Sequence, residues 1–182
     1  MAKEKLVKTS PAPKSGKSKN YVAGLIIIII IIAIVISLNP ITAIPDGISV
    51  QPASQTVKSG DSFTVNIYTQ NLDDIRAFEF TLSYNKDILE ISSVSDGEFL
   101  KSSGRETYLF RRDPPIEGIE HAATGVIGPG AGVNGDGALV SIQFRAKGPG
   151  NSQLGLSDVK LVISQSQLIN NVALTNGGIR VV

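Results

Sequence analysis

The side chains that could do chemistry are few, and they are not grouped as a catalytic site requires. The chain has one histidine, His121, directly after Glu120, and it has no cysteine. A nucleophilic serine on a strand-to-helix elbow needs a Gly-x-Ser-x-Gly motif, which the sequence lacks. Glycoside hydrolysis needs two acids across a cleft, whereas most acids here lie in turn-like segments. The sequence therefore predicts no catalytic residues.

The same test excludes a metal or phosphate site. Asn134-Gly135-Asp136-Gly137 has some residues of a calcium loop, but it lacks the alternating oxygen ligands and final glutamate of an EF-hand. The glycine-rich stretch 125–137, which we expect to be a flexible loop, is followed by no helical pattern, as a phosphate-binding loop would be. We therefore expect this chain to bind no metal and no cofactor.

Two alternating runs position the remaining polar side chains. They cover residues 63–68 and 77–84, and in both an apolar residue follows a polar or small one, the period of a strand with one buried face. The members expected to be buried are Phe63, Val65, Ile67, Phe78, Phe80, Leu82 and Tyr84. In the second run, Ala77, Glu79 and Thr81 are predicted to point outward.

Short strand patterns recur throughout residues 48–182. Glycine, proline, asparagine and aspartate separate them, and helical periodicity is absent after residue 44. Frequent short strands with turn signals are typical of two packed antiparallel sheets. We therefore predict an all-β fold, an antiparallel β-sandwich.

In order and spacing, these segments resemble the cohesin domain, the receptor half of the cohesin–dockerin pair that assembles cellulosomes and related surface complexes. The resemblance covers roughly Ile48 to Val182, and it is carried by residues 57–67, 77–91, 137–147 and 177–182. It implies jelly-roll topology with adjacent first and last strands. It also implies a partner, a dockerin-containing protein that carries the Ca2+ itself.

The resemblance further implies that the partner's helices lie across one sheet. Glu79 stands where the best-known cohesins place an acidic residue, whereas Ala77 stands where they carry an amide, so their Ser/Thr-reading specificity is in doubt here. The predicted partner-binding residues are Ala77, Glu79, Thr81, Glu120, His121 and Leu168. Leu168 resembles an apolar anchor of the family, and the register of Glu120 and His121 is left open.

The first quarter of the chain has a different composition. Residues 1–20 contain six lysines and one glutamate and are predicted to be a disordered tail. Residues 21–44 include seven consecutive isoleucines, Ile26 to Ile32, and are predicted to form a transmembrane helix. The lysines place the N-terminus in the cytoplasm, so a single-pass anchor would display residues 45–182 outside the cell membrane. A cleaved signal peptide is the alternative.

Charge and aromatic content limit the other functions. Beyond residue 20 the chain has 11 Lys and Arg against 15 Asp and Glu, so no nucleic-acid partner is expected. A carbohydrate-binding module, with a polysaccharide as partner, is an alternative, although the chain has no Trp and only 5% aromatic residues. A structural subunit of a surface layer or filament is a further alternative. The preferred hypothesis is a non-catalytic, cell-surface protein–protein interaction module.

Overall fold

The computed structural model describes residues 47–182. The predicted tail at residues 1–20 and the predicted membrane anchor at residues 21–44 lie outside the described residues. Within the described part, no helix is both long enough and apolar enough to cross a membrane.

Strands dominate the described residues, which contain one short helix. In chain order the elements are β1 (Gly47–Gln51), β2 (Ser54–Val57), β3 (Ser62–Ser83), β4 (Leu89–Asp96), α1 (Glu98–Lys101), β5 (Thr107–Arg111), β6 (Ile119–Val126), β7 (Val133–Ala146), β8 (Gly150–Ile163), β9 (Leu168–Ile169), β10 (Ala173–Thr175) and β11 (Gly177–Val181).

The long strand β3 belongs to both sheets of a sandwich. Its first half pairs with β1 and β7, and its second half pairs with β6 and β8. Between the halves the register with β7 is irregular, and Asn71 and Asp74 adopt positive φ angles of 50° and 59°. Asparagine and aspartate tolerate this conformation better than other non-glycine residues do. The chain therefore changes sheets here without ending the strand.

One sheet has the order β5–β6–β3–β8–β9, and the other has the order β4–β7–β3–β1–β10. The first residues of β8 pair with β11, which pairs with β2. The ladders are antiparallel except for two parallel pairings, β1 with β10 and β2 with β11. The predicted all-β sandwich is confirmed, and the first and last segments of the fold are adjacent, as expected.

The core lies between the two sheets and is built by the alternating runs. Every apolar residue predicted to be buried in those runs is buried, except that Tyr84 is only partly so. The Tyr84 ring meets Phe144 edge-on at a centroid distance of 5.4 Å. Burying each large apolar side chain contributes roughly 1.5 to 3 kcal/mol. Strand periodicity therefore identified the part of the core that these two runs supply.

Two segments differ from the sequence expectation. Helix α1 is short, but it buries Phe99 and Leu100, which no strand or helix period marked. The glycine-rich stretch expected to be a loop ends inside β7, where Val133 pairs with Ile75. Glycine suits that place because a Cβ at Gly132 would lie 2.1 Å from the Asp74 carbonyl carbon. Close backbone approach, rather than flexibility, explains this glycine.

Candidate functional site

The outward side of the β5–β6–β3–β8–β9 sheet, called the outer face below, collects most of the predicted site residues. Directly paired residues in an antiparallel ladder point to the same side of a sheet, so the register defines rows across it. The outer face consists of Tyr108, Phe110, His121, Ala123, Gly125, Ala77, Glu79, Thr81, Lys160, Val162 and Leu168.

The first row of the outer face is apolar. From β5 to β9 it runs through Tyr108, Gly125, Ala77, Val162 and Leu168. Its two ends are the most exposed, Tyr108 at 64% and Leu168 at 56%. Gly125, Ala77 and Val162 lie between them and are partly buried. Exposed apolar surface of this kind is typical of a binding surface.

The second row changes from apolar to charged. It runs through Phe110, which is 54% exposed, then Ala123, Glu79 and Lys160. Lys160 Nζ lies 2.9 Å from Glu79 Oε1. Because both side chains are solvent-accessible, the pair is weak, and a charged group of a partner can replace either member.

The third row adds two polar side chains, His121 and Thr81, to the Glu79–Lys160 pair. His121 Nε2 lies 3.5 Å from Glu79 Oε1, and His121 Nδ1 lies 3.1 Å from Thr81 Oγ1. Glu79 is therefore shared by one permanent cation, Lys160, and by the histidine ring. The outer face thus has an apolar row, from Tyr108 to Leu168, and beside it a polar cluster of Glu79, Lys160, His121 and Thr81.

A groove of about 580 Å³ borders the polar cluster. It forms where β8 has a register shift and Asp158 adopts a φ of 50°. A bulge of this kind redirects side chains at a sheet surface. One wall is the polar cluster with Asp158, and the other wall contains Asn170, Val172 and Leu174. The groove could receive one long side chain of a partner.

Five of the six predicted site residues lie on the outer face, and Glu120 does not. Glu120 is 4% exposed and points into the sandwich, where Arg111 Nε and a terminal guanidinium nitrogen each bond its carboxylate at 2.7 Å. Neighbouring residues of a strand point to opposite faces, so Glu120 and His121 cannot both belong to one surface. Glu120 is therefore a structural residue in this fold.

A second cavity, of about 460 Å³, lies where the edges of the two sheets meet. Its lining includes Arg111, Glu120 and Tyr84, with Lys86 and Glu117 at an exposed ion pair of 2.7 Å. Hydrogen bonding to Glu120 raises the pKa of Arg111, and burial raises the pKa of the Tyr84 hydroxyl. These shifts are explained by pairing and burial, and no catalytic arrangement is needed for them.

The sequence reasoning missed the residues of the outer face that lie on β5 and β8. Tyr108 and Phe110 alternate with partly buried residues, so a period-2 signal was present. Their membership of the outer face, however, depends on pairing with β6, which local sequence does not specify. Lys160 and Val162 were missed for the same reason.

Within residues 47–182, no group of three or more His, Cys, Asp or Glu side chains could hold a metal ion. An all-β sandwich with a broad, shallow and partly apolar face is typical of a protein that binds other macromolecules. This is the class that the fold and the outer face define.

The sequence profile of the cohesin domain matches residues 48–181. The chain therefore belongs to the cohesin domain family. No curated protein matches the sequence significantly.

Solved cohesins have the same fold. The non-cellulosomal cohesin of the hyperthermophilic archaeon Archaeoglobus fulgidus is 19% identical, with a TM-score of 0.63 over 76% of this chain and 91% of that chain. The sixth cohesin of Acetivibrio cellulolyticus scaffoldin B, solved with the Cel5 dockerin, is 16% identical, with a TM-score of 0.62 over 76% and 99%. A Clostridium thermocellum OlpA cohesin in a type I dockerin complex is 14% identical, with a TM-score of 0.62 over 76% and 99%.

Proposed function

We propose that this chain is a non-catalytic receptor module that binds a dockerin-bearing protein through the outer face. The observation that carries the proposal is the composition of that face: an apolar row and a polar cluster lie side by side on one sheet of a cohesin fold. Two of the similar cohesins were solved as complexes with dockerins.

The outer face also defines what the partner must bring. Tyr108, Phe110 and Leu168 favour apolar contacts, because each has more than half of its surface exposed to water. The carboxylate of Glu79 favours a cation or a hydrogen-bond donor of the partner. The methyl side chain of Ala77, two residues earlier, can bind neither. We propose that the partner's recognition residues are apolar and basic rather than a pair of hydroxyl side chains.

We propose further that residues 21–44 anchor the chain in the cell membrane and that the sandwich is displayed outside. The support is in the sequence, because seven consecutive isoleucines follow a segment with six lysines. A module near the membrane would hold its partner at the cell surface.

The binding proposal is tested by calorimetric titration of the purified chain with the dockerins encoded in the same genome. Each titration is run with calcium and with a chelator, because the metal would be on the dockerin. We expect saturable binding that the chelator abolishes. If none of the dockerins binds with calcium present, the proposal is wrong.

The carbohydrate alternative has one observation in its favour, since Tyr108 and Phe110 form an exposed aromatic pair on β5. Aromatic faces stack on apolar surfaces of ligands. A glycan array distinguishes the two hypotheses: glycan binding that is lost in Tyr108→Ala, together with no dockerin binding, would favour the carbohydrate module.

A further inference from the structure

Strand β5 is an edge strand whose free side is open. Within residues 47–182, β5 pairs with no strand besides β6. The N–H of Ile127 donates to the Glu106 carbonyl, and the N–H of Arg112 donates to the His121 carbonyl. Every second residue of an antiparallel strand makes such bonds, so the backbone groups of Thr107, Leu109 and Arg111 point away from β6. Unpaired edges of this kind can pair with another chain.

The sequence around β5 is complementary to itself when it is read antiparallel about Leu109. Residues equally far from Leu109 then lie opposite each other. Glu106 meets Arg112 of the second copy, and Tyr108 meets Phe110 of the second copy. The opposed charges attract, and the opposed aromatic rings can pack. All four of these side chains are exposed in the single chain.

The hydrogen-bonding pattern agrees with the same register. With a two-fold axis at Leu109, the central residue directs its N–H and C=O groups to the partner, because Leu109 is one of the three residues whose backbone groups point away from β6. Thr107 and Arg111 then pair across the axis, giving about six backbone hydrogen bonds between the copies. Pairings centred on Tyr108 or Phe110 would keep the backbone hydrogen bonds but would separate Glu106 from Arg112, so the charges and the aromatic rings select Leu109.

Strand β4, a second edge strand, lacks this complementarity. Among residues 47–182, β4 pairs with β7 alone, and its charged residues are Glu90 and Asp96. The register shift between Ile91 and Ser93 puts Glu90 and Asp96 on opposite sides of β4. Asp96 accepts hydrogen bonds inside the sandwich from Thr107 and Thr124, and β4 has no basic residue that could face an acid of a second copy. Of these two edges, β5 is therefore the one whose charges suit self-association.

We infer that two copies of this chain associate through β5, in an antiparallel pairing centred on Leu109. The β8–β3–β6–β5 sheet of one copy then continues into the β5–β6–β3–β8 sheet of the second. Because the two-fold axis is perpendicular to the sheet, both outer faces lie on the same side. A dimer would therefore present two adjacent outer faces, with four aromatic side chains at the junction.

The first test is sedimentation equilibrium of the full chain in detergent over a range of concentrations. We expect a reversible dimer of the wild type. Glu106→Arg and Arg112→Glu each create two like-charge pairs and should weaken association about tenfold, whereas the double variant restores the attraction. Glu90→Arg on the β4 edge is the matched control and should leave association unchanged. Residues 21–44 are unchanged in these variants, so any contribution they make to association is the same in all of them.

Three outcomes would overturn the inference: a wild type that stays monomeric, a dimer that neither single variant weakens, or a double variant that does not recover. Melting temperatures of all variants identify any that fail to fold.

A cross-linking test does not depend on charge. The chain has no cysteine, so Tyr108→Cys combined with Phe110→Cys introduces the only thiols. In the proposed register these positions form non-hydrogen-bonded pairs with Cα atoms about 4.5 Å apart, within the range of a disulfide. We expect a disulfide-linked dimer under mild oxidation. The matched pair Ser93→Cys and Ser95→Cys on β4 should stay monomeric, and equal cross-linking of both pairs would contradict the inference.

Discussion

Glu79 is the acidic residue at the centre of the polar cluster on the outer face. Its carboxylate contacts Lys160 and lies near His121, yet neither contact is buried enough to contribute much to folding. A residue with weak internal partners and an accessible position can change binding without changing stability.

Reversing the charge of this residue should therefore separate binding from folding. Glu79→Lys places two ammonium groups side by side and repels a basic partner, so we expect at least a tenfold loss of dockerin affinity, about 1.4 kcal/mol. The free energy of unfolding should change by no more than about 0.5 kcal/mol. Glu98→Lys is the control, because Glu98 also pairs with an exposed lysine but lies on α1. An equal loss in both variants would show that the effect is not local to the outer face.

Asp74 gives a prediction for the pH dependence of stability. Its carboxylate accepts hydrogen bonds from the Ser164 hydroxyl and the Gly132 N–H, and these lower its pKa below the ordinary value of 3.8. A group whose pKa is lower in the folded state stabilises the fold above its unfolded pKa, and this contribution is lost as the pH falls through the folded value. As the pH falls below about 4, the free energy of unfolding should therefore decrease less for the Asp74→Asn protein than for the wild type. Acid unfolding curves of both proteins measure this, and parallel curves would contradict it.

At the scale of elements, the Arg111–Glu120 ion pair links β5 to β6 on the inner side of their sheet. Both carboxylate oxygens of Glu120 are bonded, and the side chain is almost fully buried, while that of Arg111 is 39% exposed. Removing one member of such a pair leaves an uncompensated charge in a poorly solvated place.

Arg111→Met should destabilise the fold by about 2 to 3 kcal/mol, less than for a fully buried pair because Arg111 is partly exposed. Adding Glu120→Gln should recover part of this loss, since no unpaired carboxylate is then buried. Urea unfolding of the three proteins measures both effects. If the second change made the fold still less stable, the buried charge would not be the cause.

Phe80 shows why loss of binding alone does not identify a site. It lies on β3 between Glu79 and Thr81, but it points into the core and is fully buried. Phe80→Ala should cost about 3 to 5 kcal/mol. A dockerin titration of this variant would fail through unfolding, which circular dichroism would reveal. A folded Phe80→Ala protein with normal stability would contradict the assignment of the core.

At the scale of the whole molecule, the proposed arrangement gives the sandwich and the N-terminal segments different roles. In the proposed arrangement the lysine-rich tail stays inside and the sandwich outside. Protease added to intact cells should therefore digest residues 45–182 and leave an epitope within residues 1–20 intact. Permeabilised cells provide the control, because both parts should then be digested. Digestion of the tail in intact cells would reverse the topology.

Local sequence was enough to determine the fold class, the buried residues of the two alternating runs and the outward direction of Ala77, Glu79 and Thr81. Each of these follows from the period of a single strand, which depends only on neighbouring residues. The segments of the cohesin resemblance added the family in the same way, because their order along the chain is itself a sequence property.

Only the tertiary structure decided which residues share the outer face and which side of β6 is buried. Pairing of β5, β6, β3 and β8 joins residues that are far apart in the chain, and the register of each ladder is settled by packing and backbone hydrogen bonds together. Glu120 illustrates the consequence: a shift by one residue would have placed it on the surface and His121 inside. The free edge of β5 likewise exists only once β6 has taken the other side, because an edge is a property of the sheet and not of the strand.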